Sequence, residues 1–238
     1  MRGGGRHLTE LSHDGLLSDP MSEPERVTVS QLVARTSEAA LAGYAANPAV
    51  RALVVAFPLA GGMLDALAGT AGTNIAIERL RVLIEELTGS LERLEGSKVD
   101  QDVTSDELID AAIKATRGAI ETGAREKVRT LAAALVGSTS SDRPPELDAE
   151  SAIDSLVSLT PADLAFARHF TSQRGPFMTP HGLGPDPQFR MMRLQGAGLV
   201  ESTPAEPVPG GSSRFWFRMT PTFWRLLELL RAGGETIG

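Results

Sequence analysis

The stretch that decides the fold lies near the C-terminus and is Arg214-Phe215-Trp216-Phe217-Arg218-Met219. Side chains alternate across an extended strand, so the two phenylalanines and Met219 share one face, and the arginines and Trp216 share the other. This period of two is typical of a half-buried strand. A loop rich in proline and glycine separates it from the short segment Leu199–Thr203, which begins with two apolar residues. The two segments are therefore predicted to pair as a β-hairpin.

Helices are predicted on both sides of this hairpin. Thr160 and Thr220 are each followed by proline, which suits an N-cap and the first helical residue, and Asp163 adds a favourable charge to the first turn. A third helix is predicted to begin at Pro187 and to end at Gly196 and Gly198. The apolar residues of the three helices are, in chain order, Leu164, Ala167 and Phe170; Phe189, Met192 and Leu194; and Phe223, Leu226, Leu227 and Leu230.

The order of these elements in residues 149–238 resembles a winged-helix domain. The segment Arg193-Leu194-Gln195-Gly196-Ala197-Gly198-Leu199-Val200-Glu201 is typical of the passage from recognition helix to wing in bacterial members. The resemblance implies a recognition helix over Pro187–Gln195, and a wing that contacts phosphates. The nucleic-acid-binding candidates that it implies are Gln188, Arg190, Arg193 and Gln195 on the helix, and Arg214 and Arg218 on the wing.

The charge of this region favours protein recognition over DNA binding. Residues after Glu150 contain eight Arg and seven Asp plus Glu, a net charge of +1, so the first 150 residues carry −8 of the total of −7. Phosphate neutralisation dominates DNA affinity, and +1 is a weak footprint for it. The glycines and prolines of residues 172–186 also disfavour the second helix of a helix-turn-helix. A DNA-binding transcriptional regulator is therefore the alternative.

The most apolar segment of the chain spans residues 52–64 and contains Pro58, Gly61 and Gly62. A membrane-spanning helix needs about 20 predominantly apolar residues, and this run is shorter and broken in its middle. We predict a buried helical hairpin. A membrane-inserting effector that uses this hairpin remains the alternative.

The clearest helical pattern covers residues 77–94. Its apolar residues recur at spacings of three and four, and charged residues flank them, which is typical of a heptad seam. The seam predicts either one helix of a bundle within the chain or a coiled-coil homodimer. Its members are Ile77, Leu80, Ile84, Leu87, Leu91 and Leu94.

Three further helices complete the predicted N-terminal bundle over 30–137. The first spans 30–46, and the second begins at a capping box formed by Thr104 and Glu107. The third carries Val128, Leu131 and Leu135 and is predicted to end at Gly137 in the left-handed conformation. Residues 138–148 are predicted to be a linker, and residues 1–29 a disordered leader. The run Met21-Ser22-Glu23-Pro24 predicts an alternative start of translation at Met21. The predicted fold class is mainly α, a helical bundle followed by a winged-helix α+β domain.

The whole-chain order of elements is similar to that of bacterial abortive-infection proteins of the Abi-alpha group. The nearest matches are Glu126–Leu135 and Ser158–Asp163. The resemblance implies phage defence, and it supplies no catalytic residue to transfer.

We assign no catalytic, cofactor-binding or metal-ligating residue. The chain has no cysteine, which excludes disulfides and thiolate chemistry and suits the cytoplasm. No pair of its four histidines has the spacing of a helical metal site, and His169 is predicted to be a partly buried structural residue. No phosphate-binding glycine motif is present. The sequence thus predicts a non-enzymatic cytoplasmic protein that acts through a protein partner or DNA, with membrane contact as a lesser alternative.

Overall fold

The structure, a computed structural model, describes residues 49, 52, 70–93, 105–170, 177–178, 185–204 and 215–235. Within these ranges the chain is mainly helical with a small antiparallel sheet, as predicted. The predicted leader, the helix over 30–46, and the hairpin over 52–64 apart from Ala52 lie outside them. The helices are α1 (Thr70–Arg93), α2 (Ser105–Glu121), α3 (Arg125–Gly137), α4 (Ala149–Ser158), α5 (Pro161–Arg168), α6 (Pro185–Gly196) and α7 (Pro221–Ala232), and the strands are β1 (Phe177–Met178), β2 (Val200–Pro204) and β3 (Phe215–Met219).

Helix α3 lies at the centre of the fold. Every residue from Lys127 to Gly137 except Arg129 is buried, and α1, α2, α4 and α7 all pack against this helix. Because the last turn of α3 is buried, its carbonyl groups must find hydrogen-bond partners within the protein. The hydroxyl of Ser138 donates to Ala134 O at 2.8 Å, and the hydroxyl of Thr139 donates to Val136 O at the same distance. The central helix therefore ends without unpaired carbonyls at these two positions.

The helix predicted from the seam is confirmed as α1. Leu80, Leu87 and Leu91 are buried as the pattern indicates, and Leu83 joins them. Ile77 and Ile84 are only half-buried, because the face that meets α3 lies slightly to one side of the predicted seam. Leu80, Leu87 and Leu91 are thus covered within the chain, and Leu94 lies outside the described residues. The predicted homodimer through residues 77–94 stays a prediction.

Helices α3 and α7 approach each other at two glycines. A methyl group on Gly137 would overlap the carbonyl oxygen of Leu229, and a methyl group on Gly233 would overlap the carbonyl oxygen of Ala133. The helix ends at Gly137, as predicted, but the expected left-handed conformation is wrong. Gly137 is the last residue of α3, and among the described glycines a positive φ occurs only at Gly198 and Gly234. Its missing side chain serves close packing instead of a helix cap.

The predicted caps at Thr160 and Thr220 are confirmed. Thr160 Oγ1 accepts a hydrogen bond from Asp163 N, and the Asp163 carboxylate accepts one from Thr160 N, which completes a capping box. Thr220 Oγ1 accepts from Phe223 N at 3.2 Å. The sequence analysis did not predict α4, although Asp148 caps it by accepting from Ser151 N.

The sheet has the strand order β1-β3-β2, and all its pairs are antiparallel. The predicted hairpin is confirmed as β2 and β3, with Val200 opposite Met219 and Glu201 opposite Arg218. The first of these pairs is buried and the second is exposed, as the alternation requires. Strand β1 was not predicted, since its two residues are too few to show a period.

A single apolar core runs through the described residues. It includes Ala52, Leu108, Leu131, Leu156 and Leu230, and so draws on almost every element. Helix α4 packs on α2, and α7 packs on α3. The helices before and after residues 138–148 therefore bury one another's apolar faces. In the described part of the chain, none of the helices has the length and apolar character that crossing a membrane requires.

Candidate interaction surface

Helix α6 is fixed in place by its buried residues and by a tight turn at its end. Met191 and Leu194 are buried in the core. Gly198 adopts a φ of 71°, and Leu199 N donates to Leu194 O at 2.9 Å, which is the bond pattern of a Schellman turn. Gly196 and Gly198 thus end the helix as predicted, and the turn at Gly198 directs the chain from α6 into β2.

The exposed face of α6 is partly apolar. Phe189 and Met192 have 57% and 58% of their surface exposed, and they lie three residues apart on one side of the helix. Gln188, Arg193 and Gln195 are exposed beside them. The sequence analysis grouped Phe189 and Met192 with Leu194 as apolar helix residues. Of these three residues only Leu194 faces the core, and Met191, three positions before it on the same side of the helix, is the second buried residue.

Two of the predicted nucleic-acid-binding arginines, Arg190 on the helix and Arg218 on the wing, form surface ion pairs. Arg190 donates to the Asp186 carboxylate one turn earlier, at 2.6 and 2.9 Å. Arg218 pairs with Glu201 directly across the hairpin. Both pairs are solvent-accessible, and pairs of this kind contribute only about 0–1 kcal/mol. A competing anion can therefore displace either carboxylate at little cost.

Arg193 is held far more firmly. Its Nε donates to Asp163 Oδ2 at 2.7 Å, and its Nη2 donates to Asp163 Oδ1 at 2.6 Å, while the Asp163 side chain is fully buried. The same carboxylate accepts from the backbone and the hydroxyl of Thr160. Burial by itself raises the pKa of Asp163, but the bonds from Arg193 and Thr160 outweigh it and hold that pKa below its usual value. Arg193 thus neutralises a buried charge and joins α6 to α5.

Lys127 is a second charged group in the interior that sequence reasoning missed. Its Nζ donates to Val157 O, in the last turn of α4, at 2.7 Å. Burial lowers the pKa of Lys127, against the attraction of Glu121 and Asp163. No local signal distinguished this lysine from a solvated one. Its cationic group stabilises the C-terminus of α4, where the helix dipole is negative.

The structure brings together some of the predicted nucleic-acid-binding residues and separates others. Gln188, Arg190, Arg193 and Gln195 all lie on α6, as expected. Gln195 Nε2 donates to Ser202 Oγ at 3.1 Å, whereas Arg218 pairs with the adjacent Glu201, on the opposite face of the hairpin. Arg214 lies outside the described residues. Arg218 is therefore not on the face of the hairpin that Gln195 contacts.

The described residues contain no cluster of His, Asp and Glu side chains that could hold a metal ion. The expectation for His169 is wrong, since it lies at the C-cap of α5 and is exposed. No family model, curated protein or solved structure matches this chain. Among the described residues, the exposed face of α6 combines apolar, amide and guanidinium side chains, and it is the candidate functional surface.

Proposed function

We propose that this chain is a non-enzymatic protein that acts through protein contacts, and that a winged-helix module over residues 149–238 makes these contacts with the exposed face of α6. The observation that carries the proposal is the pair Phe189 and Met192, both more than half exposed. Exposed apolar groups that lie together on a surface mark interaction sites. Phe and Met are also enriched at protein interfaces.

The order of elements supports a winged-helix module. A helix, α5, precedes the short strand β1, and α6 precedes the hairpin β2–β3. Strand β1 pairs with β3, which gives the sheet order β1-β3-β2. In a winged helix the strand before the recognition helix joins the wing hairpin in this same way. In this comparison α6 occupies the place of the recognition helix.

The charges around α6 support a protein partner over DNA. Arg193 cannot turn to a phosphate without leaving the buried Asp163 carboxylate unpaired, and breaking such a pair typically costs about 3–5 kcal/mol. The other two described arginines of the predicted set each have a carboxylate beside them. An anionic duplex would therefore meet carboxylates as well as guanidinium groups on this surface.

Site-specific photo-crosslinking in native cells tests the proposal. A photoreactive phenylalanine analogue in place of Phe189 should repeatedly capture one protein, and adding Met192→Asp should abolish the capture. The matched control carries the analogue at Ile75, which is similarly exposed, on α1. If position 189 captures no more protein than position 75, or if Met192→Asp changes nothing, the proposed surface is wrong.

DNA binding is the second candidate, and the exposed Gln188 and Gln195 on α6 favour it, since glutamine side chains read adenine in the major groove. The test is retention on immobilised DNA across a salt gradient. Arg190→Gln with Arg218→Gln should lower the eluting salt concentration if DNA binds, and both changes leave the Arg193–Asp163 pair intact. Elution of wild type and double variant at the same salt would remove this candidate.

Two further predictions concern the setting. Phage defence follows from the resemblance to abortive-infection proteins, and neighbouring defence genes would support it. Membrane insertion through residues 52–64 is tested by liposome flotation. A protein that remains in the aqueous fraction with and without its captured partner would count against insertion.

A further inference from the structure

A buried carboxyl group, that of Glu235, lies where the C-terminal turn meets two other helices. Gly234, with a φ of 82°, turns the chain after α7, and Glu235 N donates to Leu230 O at 2.9 Å. This Schellman turn directs the Glu235 side chain back toward α3. Only 2% of that side chain is exposed.

Groups from three elements, α1, α3 and α5, lie around this carboxyl and the turn that carries it. Thr130 Oγ1 of α3 lies 3.3 Å from Glu235 Oε1, and Arg168 of α5 forms an ion pair with the same oxygen. Arg168 also donates to Glu126 of α3 at 2.9 Å, so the guanidinium is shared between two carboxylates. The positive charge of Arg129 acts on Glu235 as well, and the Arg93 side chain of α1 packs beside Gly234. The charged groups that act on Glu235 are thus Arg168, Arg129 and Glu126, and Arg93 lies beside the preceding residue, Gly234.

The two hydrogen bonds of Thr130, to Glu126 O and to Glu235 Oε1, can both form only when the Glu235 carboxyl carries a proton. The Thr130 hydroxyl has a single proton but two acceptors within reach, Glu126 O at 3.1 Å and Glu235 Oε1 at 3.3 Å. An ionised Glu235 can only accept, so it competes with the backbone carbonyl for that proton. A protonated Glu235 can donate to Thr130 Oγ1, and Thr130 then donates to Glu126 O.

The other carboxyl oxygen adds to the cost of ionisation. Glu235 Oε2 is buried and has no hydrogen-bond partner within the described ranges of the chain. A buried charge with an unsatisfied oxygen is expensive, while a neutral acid at the same place costs much less. Burial is the largest influence on Glu235 and raises its pKa, against the lowering effects of Arg168, Thr130 and Arg129.

We propose that Glu235 is a proton-linked contact, which holds the turn after α7 against α3 and α5 more tightly when the carboxyl is protonated than when it is ionised. The contact joins the central helix to the C-terminal helix. A proton taken up on docking makes docking pH-dependent. Since protonation is favoured in the docked state, the contact is strongest at low pH and weakens as pH rises through the titration of Glu235.

The absence of cysteine from the sequence allows a direct test. Leu230→Cys places a single thiol on the buried side of α7, and its rate of reaction with a disulfide reagent reports on opening of the helix from α3. The rate is measured with and without Glu235→Gln, which keeps an acceptor oxygen and cannot ionise. Dividing the two rates at each pH cancels the effect of pH on the thiol.

We expect one ratio to rise with pH: the reaction rate of the thiol with Glu235 intact, divided by its rate with Glu235→Gln. The rise can reach tenfold for each unit by which docking raises the pKa of the Glu235 carboxyl. Glu228→Gln removes an exposed carboxylate from the same helix, and it should leave the pH dependence unchanged. A ratio that is constant across the pH range, or that falls as pH rises, would overturn the proposal.

A second measurement stands if the thiol variant does not fold. The side-chain carboxyl of Glu235 in the otherwise unaltered protein can be titrated by carbon NMR, with Glu235→Gln to assign the signal. We expect the Glu235 carboxyl to titrate at a higher pH than an ordinary glutamic acid. A titration within or below that range would refute it.

Discussion

The two glycines at the crossing of α3 and α7 allow a sharp test of the fold. Gly137→Ala adds one methyl group, which would overlap Leu229 O and lie 3.0 Å from the carbonyl carbon of Leu229 and 3.2 Å from Gly233 N. All three atoms belong to the backbone of α7 and its C-cap. Backbone atoms cannot rotate away as a side chain can, so α7 must move outward.

The expected loss follows from what α7 buries. Phe223, Leu226, Leu227, Leu229 and Leu230 all lie in the core. A radial gap of about 0.5–1 Å already removes a quarter to a half of the van der Waals attraction between facing groups. Overpacked sites lose about 1–3 kcal/mol. We expect Gly137→Ala to lower the free energy of unfolding by about 3 kcal/mol, the upper end of that range, because no side-chain movement relieves the clash.

The assay is urea unfolding followed by the fluorescence of the tryptophans, one of which, Trp224, lies on α7, packed edge to face with Phe223. Gly89→Ala is the matched control, because the same methyl group on α1 meets only the end of the Arg93 side chain, at 3.4 Å. That control should be more stable than wild type by about 0.5–1 kcal/mol, the usual gain for replacing a helical glycine. If Gly137→Ala matches Gly89→Ala, the close packing of α7 on α3 is refuted.

Three further substitutions test the buried charges and a cap. Asp163→Asn should lower the free energy of unfolding by about 2–3 kcal/mol at neutral pH, because Arg193 loses its buried partner. Urea titrations should show that this loss of stability becomes smaller in acid. A carboxylate with a depressed pKa stabilises the fold above its unfolded pKa, and this stabilisation is lost as pH falls through its folded pKa. Arg168→Met should lower the free energy of unfolding by about 3 kcal/mol at neutral pH, because Glu235 loses its ion pair. The same titrations should show a smaller loss at lower pH, where Glu235 is protonated. An equal loss at every pH would contradict this. Thr220→Ala removes the hydrogen bond from Phe223 N and should lower the free energy of unfolding by about 1 kcal/mol, which thermal unfolding measures as a lower melting temperature. An unchanged melting temperature would show that the cap does not stabilise the fold.

The predictions that succeeded depend on short segments of sequence. The caps at Thr160 and Thr220 are bonds between residues three positions apart, so they form wherever the local helix forms. The alternation in β3 and the repeat in α1 likewise follow from the geometry of a strand and of a helix. Each of these signals is complete within a few residues of the chain.

The predictions that failed depend on distant neighbours. Gly137 resembles a helix cap in sequence, but its role is set by Leu229 on another helix. The Glu107 carboxylate accepts a bond from Ala149 N at 2.9 Å, at the start of α4, a partner 42 residues away that no local pattern indicates. The predicted capping box of Thr104 and Glu107 stays a prediction, because Thr104 lies outside the described residues. The burial of Lys127 could not be predicted from the sequence either, since a lysine between helix-forming residues is usually solvated.

The sequence alone determined where α5, α7 and the hairpin begin, which face of β3 is apolar, and which arginines accompany α6. The tertiary structure alone decided that Arg193 is tied to a buried Asp163, that Phe189 and Met192 face solvent, and that Glu235 is enclosed by α3 and α5. The reason is physical. Caps and periodicity are properties of a backbone segment, whereas the burial of a charge or an apolar side chain depends on which distant residues fold against it.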